Sequence, residues 1–440
     1  MTHREATARL NSTDEMLYSA ERELGSSRIV QVLWRFPVEL SPAALREEWE
    51  RLDRGRLSRR PVPALVPGAR RKWVGAHNGE PLREYPGRLT DDTVTDWLDE
   101  QVRAPLPADS TALWRLAAAR YGNGTLLSLT VPHFRSDGLG VFTALDRRDS
   151  PAARRGTPAG GPIGEDLGEL LEQGALAVAG SVALAERILT NRQEFDRIRS
   201  ALAGPAKSPR SEATSEPRFF TTALFTLDAA SWEERATAYG GTANSLFVEI
   251  AANLVRARVP LVDRASVRVG IPMNLRRPDG DARANALVVV PLEVPAGAPQ
   301  HEDLRQTRRS TKATLRESGE HSGTLVPEPL WHLLPRRYAD RLKAPGAQQT
   351  DVVASNFGVV PEAAARFAGE QADSVALRTM NVPGLVPEKA ALRASLCMVR
   401  SGERVTVTVT GMPDHFGGTE SLRRLVTDEF AAWGLRAQRW

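Results

Sequence analysis

His133-Phe134-Arg135-Ser136-Asp137-Gly138 follows directly on Gly124–Val131, a run apolar enough (Leu126, Leu127, Leu129, Val131) to form a central strand. Beyond it, Leu139–Leu145 has helical spacing. The hexapeptide therefore joins a strand to a helix and places His133 at a strand end, where a side chain can be presented to a ligand. Imidazole titrates at about 6.5, so it can take a proton from a hydroxyl or an amine at working pH. Asp137, four residues on, can fold back to orient the ring or anchor the turn. Gly138 permits a tight turn or the close approach of a ligand. A purely structural reading stands beside this one, with His133 as a turn histidine and Asp137 as the cap of the next helix.

Outward from this stretch, Val30–Val38 and Leu113–Tyr121 read as strands, and Pro42–Arg51 as a helix capped by Ser41. Arg147–Gly164 is crowded with Pro, Gly, Arg and Asp, as a connector should be. A helical pattern runs from about Glu165 to Leu202, and a polar linker covers Gly204–Glu216. Further on, Phe219–Leu227, Val267–Ile271, Ala286–Val294, Asp351–Asn356, Arg393–Arg400 and Arg404–Thr410 read as strands. Ala229–Ala257, broken at Gly240-Gly241, His301–Glu317 and Thr419–Trp433 read as helices. No internal repeat is present. The layout predicts two α/β halves, 1–150 and 217–440, joined by a helical connector and linker over 151–216. Because strands and helices alternate irregularly, each half should hold a mixed sheet.

The chain has 440 residues, 41% of them hydrophobic and 25% charged, the range of a globular protein with more than one core. No run of about 18 uncharged apolar residues suggests a membrane span. Met1–Arg9 has no hydrophobic region behind it, as a secretory signal would require. One cysteine, Cys397, precludes an intrachain disulfide and a Cys-built zinc site, and a cytoplasmic location is expected. The net charge is +4; five of the 58 basic residues are lysine and 53 arginine, a skew that looks like coding bias. The densest basic stretch, Arg51–Lys72, has only Trp73 close by for stacking, so a nucleic-acid surface is not expected. A solvated face is expected there, with a phosphate-bearing partner as the second choice.

His-x-x-x-Asp-Gly after an apolar strand, in a two-half chain of this length, resembles the chloramphenicol-acetyltransferase-like acyltransferase superfamily. That superfamily includes nonribosomal peptide condensation domains and the polyketide-associated and wax-ester acyltransferases. Its motif usually opens with two histidines, of which the second is catalytic; here Pro132 stands in the first position and His133 in the second. Other segments resemble the family's in the same order. Gly270-Ile271-Pro272-Met273-Asn274-Leu275-Arg276 resembles the segment whose arginine pairs with the motif aspartate. Asn285-Ala286-Leu287-Val288-Val289-Val290-Pro291-Leu292 resembles the strand that follows it. Thr242-Ala243-Asn244-Ser245-Leu246 resembles a helix opening of the wax-ester branch, with Ser245 replacing an acid, and Ser355-Asn356-Phe357-Gly358 resembles a segment near the tunnel floor. The resemblance spans about residues 10–435.

The resemblance implies two chloramphenicol-acetyltransferase-like subdomains facing each other across a central tunnel, with His133, Asp137 and Gly138 at the catalytic centre. It implies that His133 is a general base for direct transfer, without an acyl-enzyme, from a phosphopantetheine thioester to a hydroxyl or amine. That thioester would sit on an acyl or peptidyl carrier protein or on coenzyme A, as co-substrate rather than bound cofactor. Asp137 would pair with Arg276, and Ser355, Asn356, Asn244 and His415 would line the tunnel. Oxyanion donors are expected from the Gly138 amide, Asn356 or Ser355. Pro132 fixes its own φ and lacks a donor, which predicts a strand end free of pairing. Cys397 reads as a core thiol, and His77, His301, His321 and His332 show no metal-ligand spacing. A different class of function, a silent condensation-like domain that recruits a partner protein, is the alternative to a free-standing acyltransferase of specialised metabolism.

Overall fold

The computed structural model describes residues 8–147, 161–203, 215–277, 281, 283–317, 323–344 and 349–440. The connector stretches 148–160 and 204–214, and His321, lie outside them.

Two mixed sheets carry the fold. The first has the order Ser374–Val382, Ser27–Phe36, Gly124–Pro132, Arg115–Tyr121, Arg83–Leu89, antiparallel except at its last pair. Gly124–Pro132 is buried along its whole length because both faces are covered. Leu127, Leu129 and Val131 pack with Val141, Phe142 and Leu145 of helix Gly138–Asp146. Leu126 packs on the other side with Trp97 and Leu98 of helix Val94–Arg103.

The second sheet has the order Gln438–Arg439, Thr221–Asp228, Arg404–Gly411, Ala394–Ser401, Val352–Val359, Ser266–Asn274, Leu287–Pro295. Val352–Val359 runs parallel to both neighbours and the remaining pairs are antiparallel. Helix Ala243–Arg258 is its main support, buried without a break from Ser245 to Val255. Its capping box is closed by Thr242 and Ser245, so Ser245 is a cap residue.

The halves are not contiguous in sequence. Ser374–Val382, not read as a strand from the sequence, comes from the 217–440 stretch yet forms the edge of the first sheet, in register with Ser27–Arg35. From there it touches the second sheet: Thr408 donates from Oγ1 to the Leu377 carbonyl at 2.6 Å, and Thr379 and Ser395 share a hydroxyl contact at 3.3 Å. The division at 217 therefore does not hold for this strand. The segment escapes a period-two reading because both of its faces are buried, with Arg378 on one of them ion-paired to Asp99.

The connector helices are Gly161–Thr190 and Arg192–Ala203. Asp166 pairs with Arg9 and Lys72, and Glu169 with Arg70, so the first of them is tied to the N-terminal half. Arg70 and Lys72 belong to the basic stretch expected to be a solvated face; that stretch is spent largely on these ion pairs and on Arg59, which is buried over the Trp73 ring. Ile163–Thr190 is long and apolar enough to cross a membrane by length and composition, unlike the sequence expectation, and most of it is exposed. One helix of this kind does not establish a span.

If Ser374–Val382 clasps the halves, Leu377→Ala should cost about 2–5 kcal/mol, as buried leucine truncations do. Urea denaturation should show a lower midpoint with one shared transition. Two separated transitions in the parent would contradict a clasp.

Candidate functional site

His133 continues the strand: its N–H donates to the Arg28 carbonyl at 2.7 Å. Pro132 is therefore in register, opposite Ile29, and not at an unpaired strand end as expected. Its missing donor faces the other side, where pairing with Arg115–Tyr121 has already stopped at Thr130. Proline is tolerated because no acceptor waits there. Phe134 anchors the turn in a cluster with Leu10, Tyr18, Trp73, Ala108 and Ala284.

The imidazole is oriented by a residue from the other half. His133 Nδ1 lies 2.9 Å from Asn285 Oδ1. Asn285 Nδ2 donates to Asp14 Oδ1 at 2.8 Å and to the Phe134 carbonyl at 3.1 Å, which fixes which end of the amide is oxygen. An amide oxygen can only accept, so His133 carries its proton on Nδ1 and leaves Nε2 as a lone pair. That is the tautomer a general base needs.

Both titratable groups of this relay are displaced. His133, 8% exposed, is pushed down to about 4, by burial first and then by the Arg28 charge, with Asp137 opposing. Asp14 is pushed up to about 7 by burial, although it accepts from Asn285, the Asn11 N–H and Trp73. The contributions to stability have opposite slopes. A depressed His133 contributes stability fully present above about pH 6.5 and lost as pH falls through about 4. A raised Asp14 contributes stability present below about pH 4 and lost as pH rises through about 7. The imidazole is buried and neutral, without the near-neutral pKa expected from sequence.

Asp137 does two things with one carboxylate. Oδ1 accepts from the Gly140 N–H at 2.7 Å, capping helix Gly138–Asp146. Oδ2 accepts from Arg276 Nη1 at 2.8 Å and from the Ala286 N–H at 2.9 Å. Arg276 meets the carboxylate through one nitrogen; its Nη2 donates instead to the carbonyls of Ala284 and Arg283. The cap reading and the ion-pair reading are thus both correct descriptions of the geometry. Gly138 and Gly140 leave no room for a side chain. A Cβ at Gly138 would lie 2.4 Å from the Phe357 ring, and one at Gly140 2.8 Å from Arg276 Nη2. The close approach at Gly138 is made by a side chain of the second half.

The remaining candidates lie elsewhere. Asn356 Nδ2 donates to Asn244 Oδ1 at 3.2 Å, at an exposed position. Ser355 is buried beside Cys397, whose thiol burial pushes up to about 12, as a core thiol requires. His415, in the short helix Pro413–Phe416, is pushed down by burial and by Arg393. No described hydrogen bond joins any of these four to His133. Among the described residues no cluster suits a metal ion. The sequence reading missed Asp14 and Asn285 as site residues; Asn285 carried a signal, since it heads the segment after Arg276 that leads into strand Leu287–Pro295.

Asp137→Ala should destabilise the fold by about 3–5 kcal/mol, the cost of stranding a buried Arg276. Asp137→Ala/Arg276→Met, which strands no charge, should recover part of the lost melting temperature. If the double variant melts no higher than the single one, the ion pair is not the source of the loss.

No protein-family model matches the chain, and no curated protein matches it in sequence. Solved structures do match. The first condensation domain of the CDA synthetase aligns with a TM-score of 0.59 at 14% identity, over 98% of this chain and 96% of that one. The wax ester synthase/diacylglycerol acyltransferase from Marinobacter aquaeolei VT8 gives 0.54 at 14% identity, over 97% and 98%. The condensation domain of the Monacolin K polyketide synthase MokA gives 0.52 at 12% identity, over 97% and 96%. At such identity the likeness carries the fold alone: this chain has the fold shared by these condensation domains and the wax ester synthase.

Proposed function

We propose that the chain is a condensation-type acyltransferase that moves an acyl group from a pantetheine thioester to a hydroxyl or amine, with His133 as general base. The observation that carries the reading is the Asn285 contact to His133 Nδ1, which leaves Nε2 unprotonated at the meeting of the two lobes. A donor arm on coenzyme A or on a carrier protein would present its thioester carbonyl to Nε2, and the acceptor would enter between the lobes. The acceptor oxygen or nitrogen attacks the carbonyl carbon while Nε2 takes its proton. The tetrahedral intermediate then collapses, the carbon–sulfur bond breaks, and Nε2 returns the proton to the departing thiolate. No acyl-enzyme forms. The Gly138 N–H, at the first turn of its helix, has no acceptor among the described hydrogen bonds and can donate to the oxyanion. Asp137 and Arg276 position the turn and touch no reacting atom. Pro132 does not favour a silent domain, because the strand end accommodates it and His133 keeps its pairing.

Transfer from loaded coenzyme A and carrier-protein thioesters, followed by intact mass, tests this. His133→Ala should lower turnover by about 10²–10⁴-fold, and should cost about 1–3 kcal/mol of stability because it leaves the buried Asn285 Oδ1 without its donor. The acidic limb of kcat/KM should fall near pH 4 rather than near neutrality. Asn285→Ala, which frees the tautomer, should lower kcat more than it raises KM. No transfer by the parent from either kind of donor, with tight capture of a partner protein, would overturn the reading in favour of recruitment.

A further inference from the structure

Arg28 sits opposite His133 across the antiparallel pair, its carbonyl accepting the His133 N–H, and opposite Asn381 on its other side. Residues directly opposite one another share a sheet face, with Cβ atoms about 4.5–5.5 Å apart. Asn381, Arg28 and His133 therefore form a polar row on one face of the first sheet. Two residues along, the same face carries Thr379, Val30 and Val131, and Thr379 meets Ser395 of the second sheet. The row thus faces the region between the lobes.

The Arg28 guanidinium has no hydrogen bond or ion pair among the described residues. It keeps part of its surface, yet burial alone lowers its pKa and no carboxylate opposes that shift. Four other arginines feel the same burial, and each has a carboxylate: Arg59 has Asp14, Arg115 has Glu80, Arg135 has Glu21 and Arg378 has Asp99. A crowded cation without a counter-charge is unfavourable until something brings one. Asn381, 8% exposed, shows no side-chain hydrogen bond and can add a second donor.

We propose that Arg28, with Asn381 beside it, binds a carboxylate borne by one of the two substrates, so that transfer at His133 selects an acidic acceptor or a dicarboxylic acyl group. The proposal rests on the acyl-transfer reading of His133. The anion must lie close to the reacting carbon, because Arg28 is the cross-strand neighbour of the base. The phosphate of a pantetheine arm is at the far end of that arm from its sulfur and does not fit. A carboxylate on the carbon next to the acceptor nitrogen or oxygen does, as does one a few bonds along the acyl chain. A guanidinium fork recognises either.

Three product-like amides test this by calorimetric titration. N-Octanoylleucine carries the carboxylate on the acceptor side, N-isopentylsuccinamic acid carries it on the acyl side, and N-isopentyloctanamide is neutral. One of the acids should bind the parent at least about tenfold more tightly than the neutral amide, and which one does so identifies the substrate that carries the charge. Arg28→Gln should abolish the preference, and Arg28→Lys should keep part of it. Arg28→Gln should melt at or above the parent's temperature, since it removes an uncompensated cation. Acids that bind the parent no better than the neutral amide, a preference that survives in Arg28→Gln, or a loss of stability in that variant would each overturn the proposal. So would equal weakening of acid and neutral ligands, which is the mark of a general structural or oxyanion role. If the parent binds none of the amides, the proposal fails. Measured transfer by the same protein then decides whether His133 fails with it: transfer retained leaves the acyltransferase reading standing, and transfer absent ends both.

Discussion

The Asp137 carboxylate collects donors from both lobes, and the geometry around His133 follows from that. One oxygen closes the first turn of the helix that begins at Gly138; the other holds Arg276 and the Ala286 N–H. His133 is four residues before Asp137, and Asn285 is the neighbour of Ala286. A single buried carboxylate therefore sets the distance between His133 and the amide that orients it. The glycines at 138 and 140 are a consequence, because Phe357, Arg276 and Ala284 of the second half already fill the space a Cβ would need. A buried ion pair is weak evidence of net stability. Its value here is registry, since Arg276 spends its second nitrogen on two carbonyls of the same loop.

The choice of an amide at 285 has an electrostatic meaning. Asn285 passes orientation from Asp14 to His133 without passing charge. An aspartate in its place would stabilise imidazolium and raise the pKa that burial and Arg28 now lower. The imidazole is consequently neutral near neutral pH, and less basic than a free one. Asp14 bears the other half of that arrangement, held in a site so desolvated that four donors do not bring it back to an ordinary carboxylate.

What the sequence made legible is local. The strand-turn-helix at Gly124–Leu145 could be read because apolar density, a cap residue and helical spacing are neighbours in the chain. Arg276 could be matched to Asp137 through the order of short segments. Asp14 could not: Asn11-Ser12-Thr13-Asp14 carries the pattern of a capping box and does form one, and its second use needs Asn285, which only folding brings there. Strand Ser374–Val382 was hidden by Arg378 and Asn381, polar residues whose burial depends on Asp99 and on the lobe interface. The charges of Arg51–Lys72 looked like a solvated surface because their partners, Asp166 and Glu169, lie about a hundred residues on. The pKa of His133 is likewise a property of burial, which no spacing reveals.

Each lobe holds an element of the other, and the two exchanges bracket His133. On one side, Ser374–Val382 leaves the second half to pair with Ser27–Phe36, the strand that bonds to His133. On the other, the loop between Ser266–Asn274 and Leu287–Pro295 leaves the second sheet to bind Asp137 and to place Asn285 on the imidazole. A rigid-body movement of one lobe relative to the other would strain both joints together, and the 2.9 Å contact at Nδ1 spans the same boundary. The tautomer of His133 is therefore a property of lobe closure rather than of the motif alone. Separating the lobes would remove the acceptor that holds the Nδ1 proton, whereas closed lobes keep Nε2 as a lone pair.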